Sequence, residues 1–172
     1  MKRYLFSFIF FLLLVAFDQY TKYLAVIHLK GTDGISVITG VFKLLYLENH
    51  GAAFGIFQNR QFFLLVTVIV VLALLLFFYG RIPNTKRFIP LSILVVLTVS
   101  GAVGNMIDRI QTGVVTDFLY FELIDFPIFN VADCYVVIAV FAMTFLFIFY
   151  YSEDEVEQIF SFRKKEQNIS EQ

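Results

Sequence analysis

Phe129-Asn130-Val131-Ala132-Asp133 stands directly before Cys134–Ser152, a run of nineteen residues without a charge. That run is long enough to cross a bilayer. An aspartate at its mouth is costly unless partnered, which makes Asp133 a candidate for chemistry. A second carboxylate, Asp117, lies sixteen residues earlier in the segment leading to the run. Two carboxyl groups brought together at low dielectric tend to share one proton, so the pair works as acid and base. Asn130 and Asp133 are three residues apart and share a face if a helix begins near Asn130. The reading is an aspartyl hydrolase at a membrane.

Working outward, the composition agrees with a bilayer. The 172 residues are 59% hydrophobic, with mean hydropathy +0.80, against roughly 45–50% apolar in soluble domains. Lys2 and Arg3 precede fourteen uncharged residues, Tyr4–Phe17, but no small-x-small cleavage site follows. The apolar stretch continues to Ile27, so the spacing predicts a span over about 4–27. Further spans are expected over 62–80, 88–107 and 134–152, with a polar tail over 153–172, frayed or disordered. The fold class expected is an all-α integral membrane protein: one membrane-embedded domain over 1–172, four transmembrane helices, and a small extracytoplasmic β-element in the first outer loop. Its strands are expected over Ile35–Thr39 and Val41–Glu48, where they could shape a groove for an extended peptide.

The polar residues within this frame are few. Asp18 and Lys22, spaced i, i+4, can pair on one helix face, either as a structural pair or with a direct role. Asn49, ahead of Gly51-Ala52-Ala53-Phe54, is a two-way hydrogen-bonding side chain, but the residues by themselves favour a turn with no function. Gly101, Asn105 and Arg109 are four apart and form one stripe. Gly101 and Gly104 allow close backbone approach, whereas an amide and a guanidinium near hydrocarbon need polar partners. Cys134 is the single cysteine, which excludes an intramolecular disulfide. With His28 and His50 alone and no paired ligand spacing, neither a metal nor a cofactor is expected. A net charge of −1 argues against nucleic acid. The Asn168-Ile169-Ser170 sequon is set aside because it falls on the cytoplasmic side, and Arg163-Lys164-Lys165 could touch anionic lipid.

Four spans put both termini on one side. Lys2, Arg3, Arg81, Lys86, Arg87, Arg163, Lys164 and Lys165 share that side, against Lys30, Lys43, Arg60 and Arg109 opposite. The positive-inside rule makes the termini cytoplasmic. Asn49, Asn105, Arg109, Asp117, Asn130 and Asp133 then gather near the outer face.

Five motifs in register carry a resemblance: Asp18-Gln19-x-Thr21-Lys22, Asn49-x-Gly51-Ala52-Ala53-Phe54, Gly101-Ala102-x-Gly104-Asn105-x-x-Asp108-Arg109, Val115-x-Asp117-Phe118 and Phe129-Asn130-x-Ala132-Asp133. Together they resemble the lipoprotein signal peptidases, the bacterial signal peptidase II family. The resemblance implies cleavage of diacylglyceryl-modified prolipoproteins just before the lipidated cysteine, in the bacterial cytoplasmic membrane. It implies Asp117 and Asp133 as the catalytic dyad without a metal. Asn49, Gly101, Asn105, Arg109 and Asn130 would line the substrate pocket, supported by Asp18, Lys22, Gly104 and Ala132. It also implies inhibition by globomycin-like cyclic peptides and contact with membrane lipid, while four spans with a closed polar site could work as a monomer. Ser100 stands where the family usually has a second glycine, and Phe54 where some members carry tryptophan. The competing readings are a proton-coupled transporter, another intramembrane protease and a lipid-binding scaffold. The acids' one-sided placement and the lack of an inverted repeat count against the transporter.

Overall fold

The computed structural model describes residues 2–51 and 61–160. The chain order is α1 (Lys2–Leu29), β1 (Ile35–Ile38), β2 (Phe42–Asn49), α2 (Gln61–Arg81), α3 (Ile89–Gln111), β3 (Val115–Tyr120), α4 (Val131–Phe145) and α5 (Glu153–Phe160). Among the described residues four helices are long and apolar enough to cross a membrane: Lys2–Leu29, Phe62–Arg81, Lys86–Gln111 and Val131–Tyr150. With every backbone N–H and C=O satisfied inside the helix, such segments can face hydrocarbon. Their large exposed side chains, Phe8, Leu13, Ile69 and Phe141 among them, are then lipid-facing.

The helices outrun the apolar stretches read from sequence, and polar groups explain why. The third apolar stretch ends at Ile107, but Asp108 and Arg109 find partners and α3 continues to Gln111. It stops where Gly113 takes a positive φ of 79°, which glycine adopts without strain. At α4 the start moves from the expected residue 134 to Val131 because Asn130 caps the helix. The Asn130 side chain accepts from the Asp133 N–H at 3.1 Å, and the Asp133 carboxylate accepts from the Asn130 N–H at 3.1 Å. This reciprocal box satisfies two orphan donors of the first turn. The last turn of the span, Leu146–Tyr150, is π-helical.

α3 is the centre of the bundle, packed against α1, α2 and α4. Two glycines permit the closest approaches. A Cβ at Gly101 would collide with the Ala132 carbonyl of α4, and one at Gly104 with the Asp18 carboxylate of α1. Ser100 is buried and returns its hydroxyl to Val96 O at 2.8 Å.

The β-element is larger than the first loop alone supplies. β1 and β2 form the expected hairpin, and β3, from between α3 and α4, adds to β2 in an antiparallel sheet of order β1-β2-β3. The register sets Leu47 opposite Asp117 and Asn49 opposite Val115. Asn49 and Asp117 are therefore diagonal neighbours on one face. Phe129 bridges Leu119 along the other edge of β3.

At the opposite end, the described part of the tail expected to be frayed or disordered, Glu153–Phe160, forms α5. Arg87 pairs with Glu155 at 3.0 Å and also donates to Tyr150 O, Arg81 donates to Ile159 O at 2.8 Å, and Ile159 is buried. The Ala52-Ala53-Phe54 motif, Arg60, the Arg163-Lys164-Lys165 cluster and the Asn168 sequon lie outside the described residues.

Candidate active site

The site forms where the sheet meets the α1, α3 and α4 ends. Asp117 comes from β3 and Asp133 from the first turn of α4. They meet around Asn130, whose Nδ2 donates to Asp117 Oδ1 at 2.6 Å while its backbone N–H holds Asp133. Asp117 Oδ2 accepts from Asn49 Nδ2 at 2.8 Å. Asp133 Oδ1 accepts from Asn105 Nδ2 at 2.8 Å. Each carboxylate thus takes two N–H donors.

Lys22 fixes how these amides face. Its ammonium is donor-only and lies 2.8 Å from Asn105 Oδ1, which turns the Asn105 amide nitrogen toward Asp133. The same Asn105 oxygen accepts from Asn130 Nδ2 at 3.1 Å, which turns that nitrogen toward Asp117 and leaves the Asn130 oxygen for the helix cap. One buried cation therefore sets the direction of both the Asn105 and the Asn130 amides.

Lys22 is itself shared between Asp18 and Asp108, at 3.0 Å from each. These two acids each grip the residue preceding one of the two converging aspartates. Asp18 accepts from the Ala132 N–H at 2.9 Å, and Asp108 accepts from the Thr116 N–H at 3.2 Å. Gln19 ties the two together, donating to Asp108 at 2.8 Å and to Asp18 at 3.2 Å. Asp18 also suits its place, since an anion at a helix N-terminus is favoured by the exposed N–H groups. Arg109 donates to Gly51 O at 2.8 Å and anchors the turn after Asn49, while Asn49 Oδ1 accepts from the Gly51 N–H at 2.9 Å.

Asp117 is 1% exposed and Asn130 fully buried. Burial first, and the neighbouring Asp133 carboxylate second, push the Asp117 carboxyl up to about 6 from an ordinary 3.8. Desolvation disfavours a charged acid, and a like charge adds to the effect. Asp117 therefore keeps its proton to a higher pH than an ordinary carboxylic acid, in a site where two carboxylates converge on one asparagine.

A family model described as Signal peptidase (SPase) II matches residues 10–149. The chain belongs to that family. It is a membrane-spanning protease of lipoprotein processing. Two relatives are the lipoprotein signal peptidases of Brevibacillus brevis, 42% identical over 127 residues (74% of this chain and 84% of the relative), and of Streptococcus thermophilus, 38% identical over 129 residues (75% and 83%). Two solved bacterial membrane enzymes share the architecture. One has a TM-score of 0.75 at 30% identity, covering 94% of this chain and 93% of that one. The other has a TM-score of 0.73 at 32% identity, covering 84% and 94%.

Among the residues singled out in the sequence, Asn49, Asn105, Asn130, Asp117 and Asp133 form one hydrogen-bonded relay, with Lys22 and Asp18 beneath it. Gly101 stands apart, because Ala132 and Val136 occupy the space beside it and make it a helix-crossing position. Asp108 and Gln19 had no assigned role in the sequence. A signal was present: Asp108 sits four residues after Gly104 and three after Asn105, directly past the expected end of the third span, and Gln19 falls inside the first, where polar groups near hydrocarbon need partners.

Proposed function

We propose that the protein removes signal peptides from diacylglyceryl-modified prolipoproteins, cutting just before the lipidated cysteine, with Asp117 and Asp133 activating water. The observation that carries this reading is the convergence of the two carboxylates on Asn130, in a buried site at the sheet end of a four-span bundle. Asp117, pushed up to about 6, starts as the protonated member and hydrogen-bonds the scissile carbonyl oxygen. Asp133 takes a proton from water as its oxygen attacks the carbonyl carbon. Collapse of the tetrahedral intermediate returns the proton to the leaving amine. Asn49, Asn105 and Asn130 hold both acids in place, and Arg109 orients the Asn49–Gly51 turn against the substrate backbone.

The eight lysines and arginines on the side of the termini support a cytoplasmic placement of both ends, which puts the site at the outer face of the cytoplasmic membrane. A diacylglyceryl group entering the bilayer there gains about 0.8 kcal/mol per buried methylene, so lipidation sets the depth of the cleavage point. Globomycin-like cyclic peptides compete for the same site, and one chain contains the complete dyad and acts as a monomer. The test offers the purified protein a diacylglyceryl-modified precursor and its unmodified form, and reads the products by mass. Cleavage before the lipidated cysteine in the first alone is expected. Equal cleavage of both contradicts the substrate assignment.

A further inference from the structure

At the end of the bundle opposite the dyad, Arg3 clasps α1 to α2. Its guanidinium donates to Ile82 O at 2.7 Å, to Tyr79 O at 2.9 Å and to the Tyr79 hydroxyl at 3.3 Å, and it lies 4.5 Å from the Tyr79 ring centroid. Ser7 and Tyr79 join hydroxyls at 2.6 Å beside it. Next to this clasp a cavity of about 520 Å³ opens between α1, α2 and α3, walled by Phe8 and Phe11, Leu72 and Leu76, and Val99. Gly80 also lines it, and a Cβ there would meet nothing within 4 Å.

We infer that this cavity holds an acyl chain of an anionic glycerophospholipid whose phosphate sits on Arg3. An apolar hollow of this size within the bilayer is not a place for water, which needs polar partners, whereas a lipid chain fills it. The choice of an anionic lipid comes from Arg3. Among the described residues no carboxylate pairs with it, so within them its charge at the membrane boundary meets only carbonyl and hydroxyl oxygens. Three of its five N–H donors are engaged, leaving one on each terminal nitrogen, the fork that suits a phosphate. Lys2 lies beside it in sequence, and basic side chains at this boundary attract anionic headgroups.

The experiment measures lipid binding to the full chain in a neutral detergent, by native mass spectrometry, with phosphatidylglycerol against phosphatidylcholine of the same chains. Wild type is expected to retain one phosphatidylglycerol with roughly tenfold or greater preference. Arg3→Gln is expected to abolish the preference, and Arg3→Lys to keep most of it. Gly80→Leu, which fills the hollow while leaving Arg3 in place, is expected to displace both lipids. Cleavage activity in detergent serves as the check on folding, since neither position touches the dyad. Equal retention of the two lipids by wild type, or undiminished phosphatidylglycerol binding by an active Gly80→Leu or Arg3→Gln, overturns the assignment.

Discussion

Asp117→Asn separates the energetic cost of the dyad from its chemistry. The rise of the Asp117 carboxyl from 3.8 to about 6 is about two pH units, or about 3 kcal/mol of differential interaction at ~1.4 kcal/mol per unit. The folded-state value lies above the unfolded one. Stability is therefore undiminished below pH 3.8, declines as pH rises toward 6, and carries the full cost above it. An asparagine cannot ionise and escapes this cost. It meets another instead: both Asp117 oxygens accept amide N–H groups, from Asn130 and Asn49. Whichever way the new amide turns, its NH2 therefore faces a donor, at a pH-independent ~1–3 kcal/mol. The stability difference between variant and wild type should thus shift by about 2–3 kcal/mol in the variant's favour between pH 4 and pH 8. In a chain of this size each kcal/mol moves Tm by roughly 2–4 °C, so the gap in thermal unfolding moves by roughly 5–10 °C. Unfolding of both proteins in one detergent over that pH range measures it, with other titrating groups common to both. Curves that stay parallel refute the assignment of a strained, protonatable Asp117.

The remaining predictions concern the machinery around the pair. The pH profile of kcat/KM should fall above about 6 as Asp117 loses its proton, while that of kcat falls at higher pH because bound substrate excludes water further; a flat profile from pH 5 to 8 contradicts the proton assignment. Gly104→Ala should destabilise by ~1–3 kcal/mol by pushing the Asp18 carboxylate off Ala132, whereas Gly80→Ala, which meets open space, should stabilise by ~0.5–1 kcal/mol; chemical unfolding of the two distinguishes a clash from a glycine effect. Lys22→Met should cost ~3–5 kcal/mol, since it strands two buried carboxylates, and an undiminished unfolding midpoint argues against the shared cation. Arg109→Lys loses the bond to Gly51 O and should raise KM more than it lowers kcat, as steady-state kinetics will show.

Most of the fold was legible because four apolar runs of bilayer length leave few alternatives. The helix ends were less so. Asp108 and Arg109 were read as ending a span, but inside the folded bundle each has partners, and partnered charges do not stop a helix. β3 was missed for a related reason: Val115–Tyr120 is six residues whose strand character depends on lying beside β2, a contact some seventy residues away in the chain. The dyad and its asparagines were visible as polar residues gathered at one end. What spacing could not reveal was the order of their bonds, in particular that Asp18 and Asp108 hold the backbone next to Asp133 and Asp117 directly and share one lysine between them. α5 was read as loose from its charge, yet Ile159 and two arginine contacts dock it.

The central claim is that Asp117 and Asp133 together activate water. The direct measurement is single-turnover cleavage of a diacylglyceryl-modified prolipoprotein by wild type, Asp117→Asn and Asp133→Asn, each verified as folded by thermal unfolding. Both variants are expected to lose at least about a thousandfold in rate while still binding substrate. A folded variant of either aspartate that cleaves within tenfold of wild type contradicts the dyad.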